Sequence, residues 1–546
     1  MDGSHSKKRH DPCVVLFLFP PVGWQSVNMA RALYEKNELF HESMVEVNAA
    51  CQDVLSPSLL DVLYPELGHE AACSELIKQP TYLLPALFAI EYSLHAMLAA
   101  EACQPFAVVG HSIGEFVAAV SAGVLDMRVA LAIVCERGRA MDASCPAGGM
   151  LSIRADAQLV ADAIQQADCC KEQAPVVVQG TQALPHADFE VVVAALNGPA
   201  SYVVAGSHES LARVSATLLS RDVKATAVRA SHADHSPSMA AAAASVLHTA
   251  SQLYMQAPPR RPTCLWASTV VGCTDDERGY RGAVGGEGGE VAAVGSALHI
   301  SNSLLQGSVQ AVASRERAAT LQACVATPAS LPHAMASSKY WQLHAIRPVN
   351  FVAAMEAALE AYESVCSSQD AGFQTHGRTI LSGACSVDAT GTSHYSKLLL
   401  VEFGDGLLLR LALDIIDDRL ARRRGSLGTV TNPTPTGKVD GQDGPEAAQL
   451  RAERQESHKK CASCDDLPPD CVQQSMFLGA DRGSLHYTHA DATAAKAVGG
   501  AFALLPRLGA TTATTAGFAN YTEEAIEAVM RRVRACKLLD FLADQP

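Results

Sequence analysis

No stretch of eighteen consecutive apolar residues occurs in this sequence, and its Lys and Arg residues form no basic patch interleaved with aromatics. The first absence gives no membrane span to expect. The second leaves no footprint for nucleic acid as a partner. Basic residues number 42 against 57 acidic ones, a net charge of −15. The seventeen cysteines are odd in number and lack the regular spacing of a disulfide framework, and no signal-peptide pattern precedes the first apolar run. A reducing compartment is the expected setting. Lys7, Lys8, Arg9 and His10 are too few and too near that run to read as a transit peptide. The expected address is cytoplasmic, with mitochondrial as the alternative. Paired metal-ligand spacing is also missing: Cys461, Cys464 and Cys471 sit in a polar tail without a second ligand pair and read as free thiols. Neither a metal nor a cofactor is expected.

What is present is an apolar content of 48% over 546 residues, ample for a core. The most informative stretch within it is Gly110-His111-Ser112-Ile113-Gly114-Glu115. A buried-strand pattern, Ala107-Val108-Val109, runs into it, and an Ala-rich helical run from Phe116 to Val124 follows. Strand, sharp turn and helix with a serine at the apex is the order of a nucleophile elbow. Gly110 and Gly114 let strand and helix pass closely, and the unpaired N–H groups of the helix start favour a developing oxyanion. Chemistry on an acyl group is the expectation.

Cys13 to Phe19 reads as a fully buried parallel strand, and helical patterns over 28–35 and 83–100 follow it. Strand alternating with helix argues for a hydrolase-like α/β unit with a parallel sheet. From Gly148 the order changes to βαββαβ, the pattern of a small ferredoxin-like inserted subdomain. The expected organisation is a large subdomain over 13–147 and 230–415, interrupted by the small subdomain over 148–229. A low-complexity insertion is expected at about 273–338 and a disordered linker over 422–483. A helical extension over 484–546 closes the chain, with its helix over 522–541.

Several colinear segments resemble the acyltransferase family of malonyl-CoA:acyl-carrier-protein transacylases and polyketide synthase acyltransferase domains. Phe19-Pro20-Pro21-Val22-Gly23-Trp24-Gln25 is similar to the family's opening motif, and Gln79-Pro80 through Pro85-Ala86-Leu87-Phe88 to the segment before the elbow, with Leu84 in place of Gln. Asn197-Gly198-Pro199 followed by Val203-Val204-Ala205-Gly206 is similar to its small-subdomain signature. Ser268-Thr269 with Gly272, Tyr340-Trp341, His344, Arg347-Pro348-Val349-Asn350-Phe351 and Glu402-Phe403-Gly404 match its closing segments. The resemblance spans about residues 13 to 410 without the insertion.

That resemblance implies a mechanism. Ser112 is the implied nucleophile and needs a base, since a serine hydroxyl is weakly nucleophilic at neutral pH. Ser231-His232-Ala233-Asp234-His235-Ser236 stands where the family carries its histidine, which makes His235 the implied base and His232 the lesser candidate. A backbone carbonyl, that of Arg347, is implied to orient the imidazole. Arg137, 25 residues after Ser112 (137 − 112), is implied to grip the malonyl carboxylate, which a planar guanidinium holds through two parallel hydrogen bonds. The backbone N–H groups of Val22 and Ile113 are the implied oxyanion hole, with Pro21 and Trp24 as departures that alter the turn and narrow the entrance. Asp234 replaces a common Phe, and its side chain is expected to point outward, away from Arg137.

The reaction implied is malonyl transfer from malonyl-CoA, or another acyl-CoA, to the phosphopantetheine thiol of an acyl carrier protein, for fatty-acid or polyketide synthesis. No ketosynthase motif and no Asp-Ser-Leu carrier attachment site occurs in the chain, so the carrier is expected to act in trans. Two other readings stay open. A serine thioesterase or hydrolase is opposed by Arg137 and the inserted subdomain. A catalytically impaired relative that binds acyl-CoA or carrier protein is favoured by the altered opening motif, Asp234 and the insertion.

Overall fold

The computed structural model describes residues 13–100, 103–169, 191–270, 324–367, 397–403 and 407–427, with short strand segments at 374–375, 378–379, 386–387, 393–394, 502–505 and 514–516. Cys461, Cys464, Cys471, Gly272, Gly404, the linker after 427 and the helix expected over 522–541 lie outside the described residues.

β1 (Cys13–Phe19) is buried from Val14 to Phe19, which explains why it reads as one apolar run rather than an alternating strand. It lies between β2 (Ala107–Gly110) and β14 (Lys397–Glu402), parallel to both, with Phe19 opposite Gly110 and Leu18 opposite Glu402. β7 (Leu265–Ala267) continues the parallel set beyond β2. The expectation of a parallel sheet applies to these four strands. β8 (Val325–Ala326) at one edge, and β15 (Phe502–Leu505) with β16 (Thr514–Ala516) at the other, are antiparallel, which makes the seven-stranded sheet mixed. Antiparallel strands need no crossover helix and so can be added at an edge by a short return. β15 and β16 fall inside the stretch expected to be a helical extension.

Four helices, α1 (Arg31–Lys36), α2 (Glu38–Cys51), α3 (Leu59–Leu63) and α4 (Glu70–Leu76), separate β1 from α5 (Pro80–Ala100). Pro80 opens α5 at no cost, because the first-turn N–H it lacks has no partner inside a helix. α5 is long and apolar enough to cross a membrane, but 72% of its apolar stretch is buried, packed against α2 and α7 (Met127–Ser144). Burial inside the protein accounts for its composition.

The small sheet has the order β6-β3-β5-β4-β9, from β3 (Gly149–Arg154), β4 (Val192–Gly198), β5 (Ser201–Gly206), β6 (Ala225–Ala227) and β9 (Val349–Asn350). Its first four strands are antiparallel and, with α8 (Ala157–Cys169) and α9 (His208–Leu219), form a ferredoxin-like βαββαβ unit. Ile153, Val160, Val193, Val204 and Val214 give it a core of its own. β9 joins this sheet parallel to β4 and also bridges Val270 through Val349, which ties the two sheets together.

α10 (Ala240–Gln256) packs on α7 and on α12 (Lys339–Ile346). Residues 324–338, inside the segment expected to be an insertion, carry β8 and α11 (His333–Ala336) and bury Cys324, Ala326 and Met335. The chain does not stay helical after α12: that helix ends at Ile346, β9 follows, and α13 (Phe351–Ser367) begins after it. Pro348 is the cause. It disfavours helical geometry at the preceding residue, and Arg347 is extended at φ −98° and ψ 151°. Two small hairpins, β10 (Gln374–Thr375) with β11 (Arg378–Thr379) and β12 (Ser386–Val387) with β13 (Ser393–His394), precede β14. α14 (Leu407–Leu427) packs on α13, where Arg419 binds Glu356 and Glu363.

Between β2 and α6 (Gly114–Ser121) the chain turns so tightly that a Cβ on Gly114 would collide with the Phe19 carbonyl, and one on Gly110 with the backbone of Glu115. Gly114→Ala is expected to lower stability by about 1–3 kcal/mol, the usual cost of forcing a methyl into a closed space. Urea unfolding measures it; a change below about 0.5 kcal/mol, the ordinary range for a surface substitution, would show that strand and helix have room.

Candidate active site

Ser112 occupies the apex of this turn in a left-handed conformation, φ 53°. For a side chain other than glycine that conformation costs on the order of 1–3 kcal/mol and persists only where the surroundings hold it. Here they do. The His111 N–H donates to the Phe19 carbonyl at 2.8 Å, the Glu115 N–H to the Ser112 carbonyl at 2.9 Å, and the Thr269 hydroxyl to the Gly110 carbonyl at 3.1 Å. His344 Nε2 adds a bond to the Ser112 carbonyl at 3.0 Å.

Behind the turn, Glu115 is fully buried and accepts from Trp266 Nε1 at 3.0 Å, the Tyr340 hydroxyl at 2.6 Å and, at 2.8 Å, the Thr269 hydroxyl, whose one proton it shares with the Gly110 carbonyl. Burial pushes its carboxyl up to about 7, partly offset by those three donors. This network joins α6, β7 and α12. It rests on long-range contacts that carry no local spacing signal.

His235 meets Ser112 from the other side, with Nε2 2.8 Å from Oγ and Nδ1 3.1 Å from the Arg347 carbonyl. A carbonyl only accepts, so Nδ1 carries the proton and Nε2 is left to accept from the serine hydroxyl. His235 is itself left-handed, φ 58°. Burial, reinforced by the nearby Arg137, lowers its pKa to about 3 and keeps the ring neutral. His232, the lesser candidate, makes its hydrogen bond with the neighbouring Ser231 hydroxyl. The elbow also reaches the small subdomain, where His111 Nε2 bonds Asn197 Oδ1 at 2.8 Å. Burial holds His111 at about 4.

Arg137 is 2% exposed on α7, and its surroundings differ from the expectation in one respect. Asp234 points inward. Its Oδ1 accepts from Arg137 Nη2 at 3.1 Å, and its side chain is 9% exposed. The reason is electrostatic: a guanidinium buried in this interior needs an anion, and Asp234 is the nearest. Arg137 Nη1 donates to His344 Nδ1 at 3.0 Å, and Nε finds no partner among the described residues. His344 therefore carries its proton on Nε2 and links the guanidinium to the Ser112 carbonyl. Burial and Arg137 hold its pKa well below the ordinary histidine value.

A cavity of about 130 Å³ opens beside Ser112, His235 and Asp234, with Val22 and Leu411 of the large subdomain facing Met150 and Val203 of the small one. Val22 thus lines the same cavity as Ser112, and Ile113 caps α6 directly after it. Trp24 is absent from the cavity wall, because its indole N–H folds back onto the Pro21 carbonyl at 2.9 Å. Arg137 is absent from it as well. Among the described residues no group of three or more His, Cys, Asp or Glu side chains is arranged to hold a metal.

Fold and site together define an α/β protein that presents a serine–histidine pair on a strand–turn–helix elbow, with a ferredoxin-like subdomain covering the cavity. Residues 16–278 match the acyl transferase domain family. Polyketide synthase GfsA of Streptomyces halstedii is 36% identical over 223 residues, 41% of this chain and 3% of that protein. Mycoketide-CoA synthase of Mycobacterium tuberculosis is 34% identical over 224 residues, 41% of this chain and 5% of that protein. The chain thus spans a few per cent of the length of these curated relatives. A loading acyltransferase from the avermectin modular polyketide synthase aligns over 74% of this chain and 92% of its own, at 20% identity and a TM-score of 0.49.

The buried histidines set a pH dependence. His95, His111, His235 and His344 all have folded pKa values below the ordinary 6.5, so the unfolded chain binds protons that the folded one refuses. Their contribution is complete above about pH 6.5 and is lost as pH falls. Glu91 and Glu115 are raised and act in the opposite sense, gaining as pH falls below about 7. Four groups oppose two, so the unfolding midpoint in urea is expected to fall between pH 6.5 and pH 4.5; a flat or rising midpoint would contradict neutral burial of the rings.

Proposed function

We propose that this chain transfers an acyl group, malonyl in the reaction its resemblance implies, from a CoA thioester to the phosphopantetheine thiol of an acyl carrier protein through an ester on Ser112. The observation that carries the reading is the Ser112 Oγ to His235 Nε2 contact at 2.8 Å, with Nδ1 of the same ring on the Arg347 carbonyl. A neutral imidazole with its free lone pair on the serine hydroxyl is a ready general base.

Ser112 Oγ attacks the thioester carbonyl as its proton passes to His235 Nε2. The tetrahedral oxyanion collapses, the C–S bond breaks, and the CoA sulfur leaves with that proton. The carrier thiol then gives its proton to His235 and attacks the Ser112 ester, which releases the serine. The backbone N–H groups of Val22 and Ile113 are the proposed oxyanion donors. Arg347 positions the imidazole through its carbonyl, and the low pKa of His235 keeps the base unprotonated. Val22, Met150, Val203 and Leu411 line the cavity beside the ester; water reaching the ester would make the protein a hydrolase. Arg137, one layer behind Asp234, is the proposed cation for a malonyl carboxylate.

Incubation with malonyl-CoA and acetyl-CoA separately, followed by intact mass measurement, tests the reading. An acyl adduct is expected on the full chain and absent from Ser112→Ala. His235→Ala is expected to slow adduct formation by about 10²–10⁴-fold, the usual worth of a general base. Steady CoA release without an adduct would assign a hydrolase, and neither adduct nor release would assign a binding protein.

A further inference from the structure

A malonyl carboxylate entering the cavity meets Asp234 before it meets Arg137, since Asp234 lines the wall and Arg137 does not. Nη2 of the guanidinium donates one of its two N–H groups to Asp234 and Nη1 one of its two to His344, and Nε has no partner among the described residues. The charges of this buried site already cancel. Arg137 and Asp234 form one pair, and His111, His235 and His344 are neutral by burial. Among the described residues the cation on the cavity wall is Arg154, which is 68% exposed and faces Asp414 at 3.4 Å.

We propose that Asp234 is a specificity-determining residue: its carboxylate serves as an internal anion for Arg137, so that Ser112 loads short uncharged acyl groups in preference to malonyl, and malonyl loads only by displacing Asp234 from the arginine. The proposal rests on the acyl-transfer reading above. An uncharged acyl group leaves the buried pair intact and adds apolar contact with Val22, Met150 and Val203. A malonyl group brings a second carboxylate to a guanidinium that already has one. Either two anions share one cation in a poorly hydrated space, or the Asp234 carboxylate moves out of its buried position. Each alternative costs free energy that an acetyl or propionyl group does not incur.

Single-turnover formation of acyl-Ser112 on the full chain, followed by intact mass with malonyl-CoA, acetyl-CoA and propionyl-CoA, reads the preference directly. The wild-type protein is expected to load acetyl or propionyl faster than malonyl. Asp234→Asn keeps the side-chain shape and removes the charge; it is expected to raise the malonyl-to-acetyl loading ratio by about tenfold or more, a tenfold change being ~1.4 kcal/mol. Asp234→Ala is expected to move the ratio in the same direction. Malonyl loading as fast as acetyl in wild type, or a ratio unmoved by a folded Asp234 variant, overturns the proposal and leaves acyl transfer standing. If both variants fail to fold, the wild-type rates alone decide. Failure of every thioester to label Ser112 overturns the acyl-transfer reading and this proposal with it.

Discussion

The left-handed turn at Ser112 is the constraint on which the rest of the site depends. A serine in that conformation relaxes unless its neighbours hold it, and here the holding groups come from four parts of the chain. Phe19 ends β1, Thr269 follows β7, His344 lies on α12, and Gly114 with Glu115 begins α6, where Gly114 admits the Phe19 carbonyl at a distance no other residue allows. None of these contacts involves the Ser112 side chain. The backbone is fixed by its carbonyl and its flanks, which leaves Oγ to the imidazole of His235. The fold thus spends its hydrogen bonds on the turn and leaves the hydroxyl to bond His235 Nε2.

Dehydration organises the second feature. His111, His235 and His344 lie within a small buried volume, and in water each would be partly protonated near pH 6.5. Burial removes that option, and Arg137 opposes additional positive charge on His235 and His344. Neutral rings then have one donor and one acceptor nitrogen each, and their partners fix the tautomers. His235 donates to a carbonyl and accepts from Ser112, while His344 accepts from Arg137 and donates to a carbonyl. Arg137 is therefore a structural cation that reaches the Ser112 carbonyl through His344, one layer behind the cavity wall. Asp234 completes the balance and stands between Arg137 and the cavity.

Much of this architecture was legible along the chain. The elbow, the strand of 13–19 and the βαββαβ order are written in local patterns of apolar residues and glycine, which short-range physics controls. His235 and Arg137 were reached by motif resemblance, and the structure brings both within hydrogen-bonding networks that contact Ser112. The break at 347–348 was available from Pro348 but is obscured by the apolar run around it. The antiparallel strands β15 and β16 carry no helical or strand signal strong enough to separate them from the low-complexity sequence near them.

The sequence by itself determined where the chain turns, which runs are buried, and which residues could carry a proton or a charge, because those properties follow from side-chain type and spacing. Only the tertiary structure decided the direction of Asp234, the second partner of Arg137 and the role of His344. Those outcomes depend on which charges and lone pairs share one dry volume. Residues 97 and 207 positions apart, such as Arg137 with Asp234 and His344, acquire that neighbourhood only when the sheet, α7 and α12 have packed.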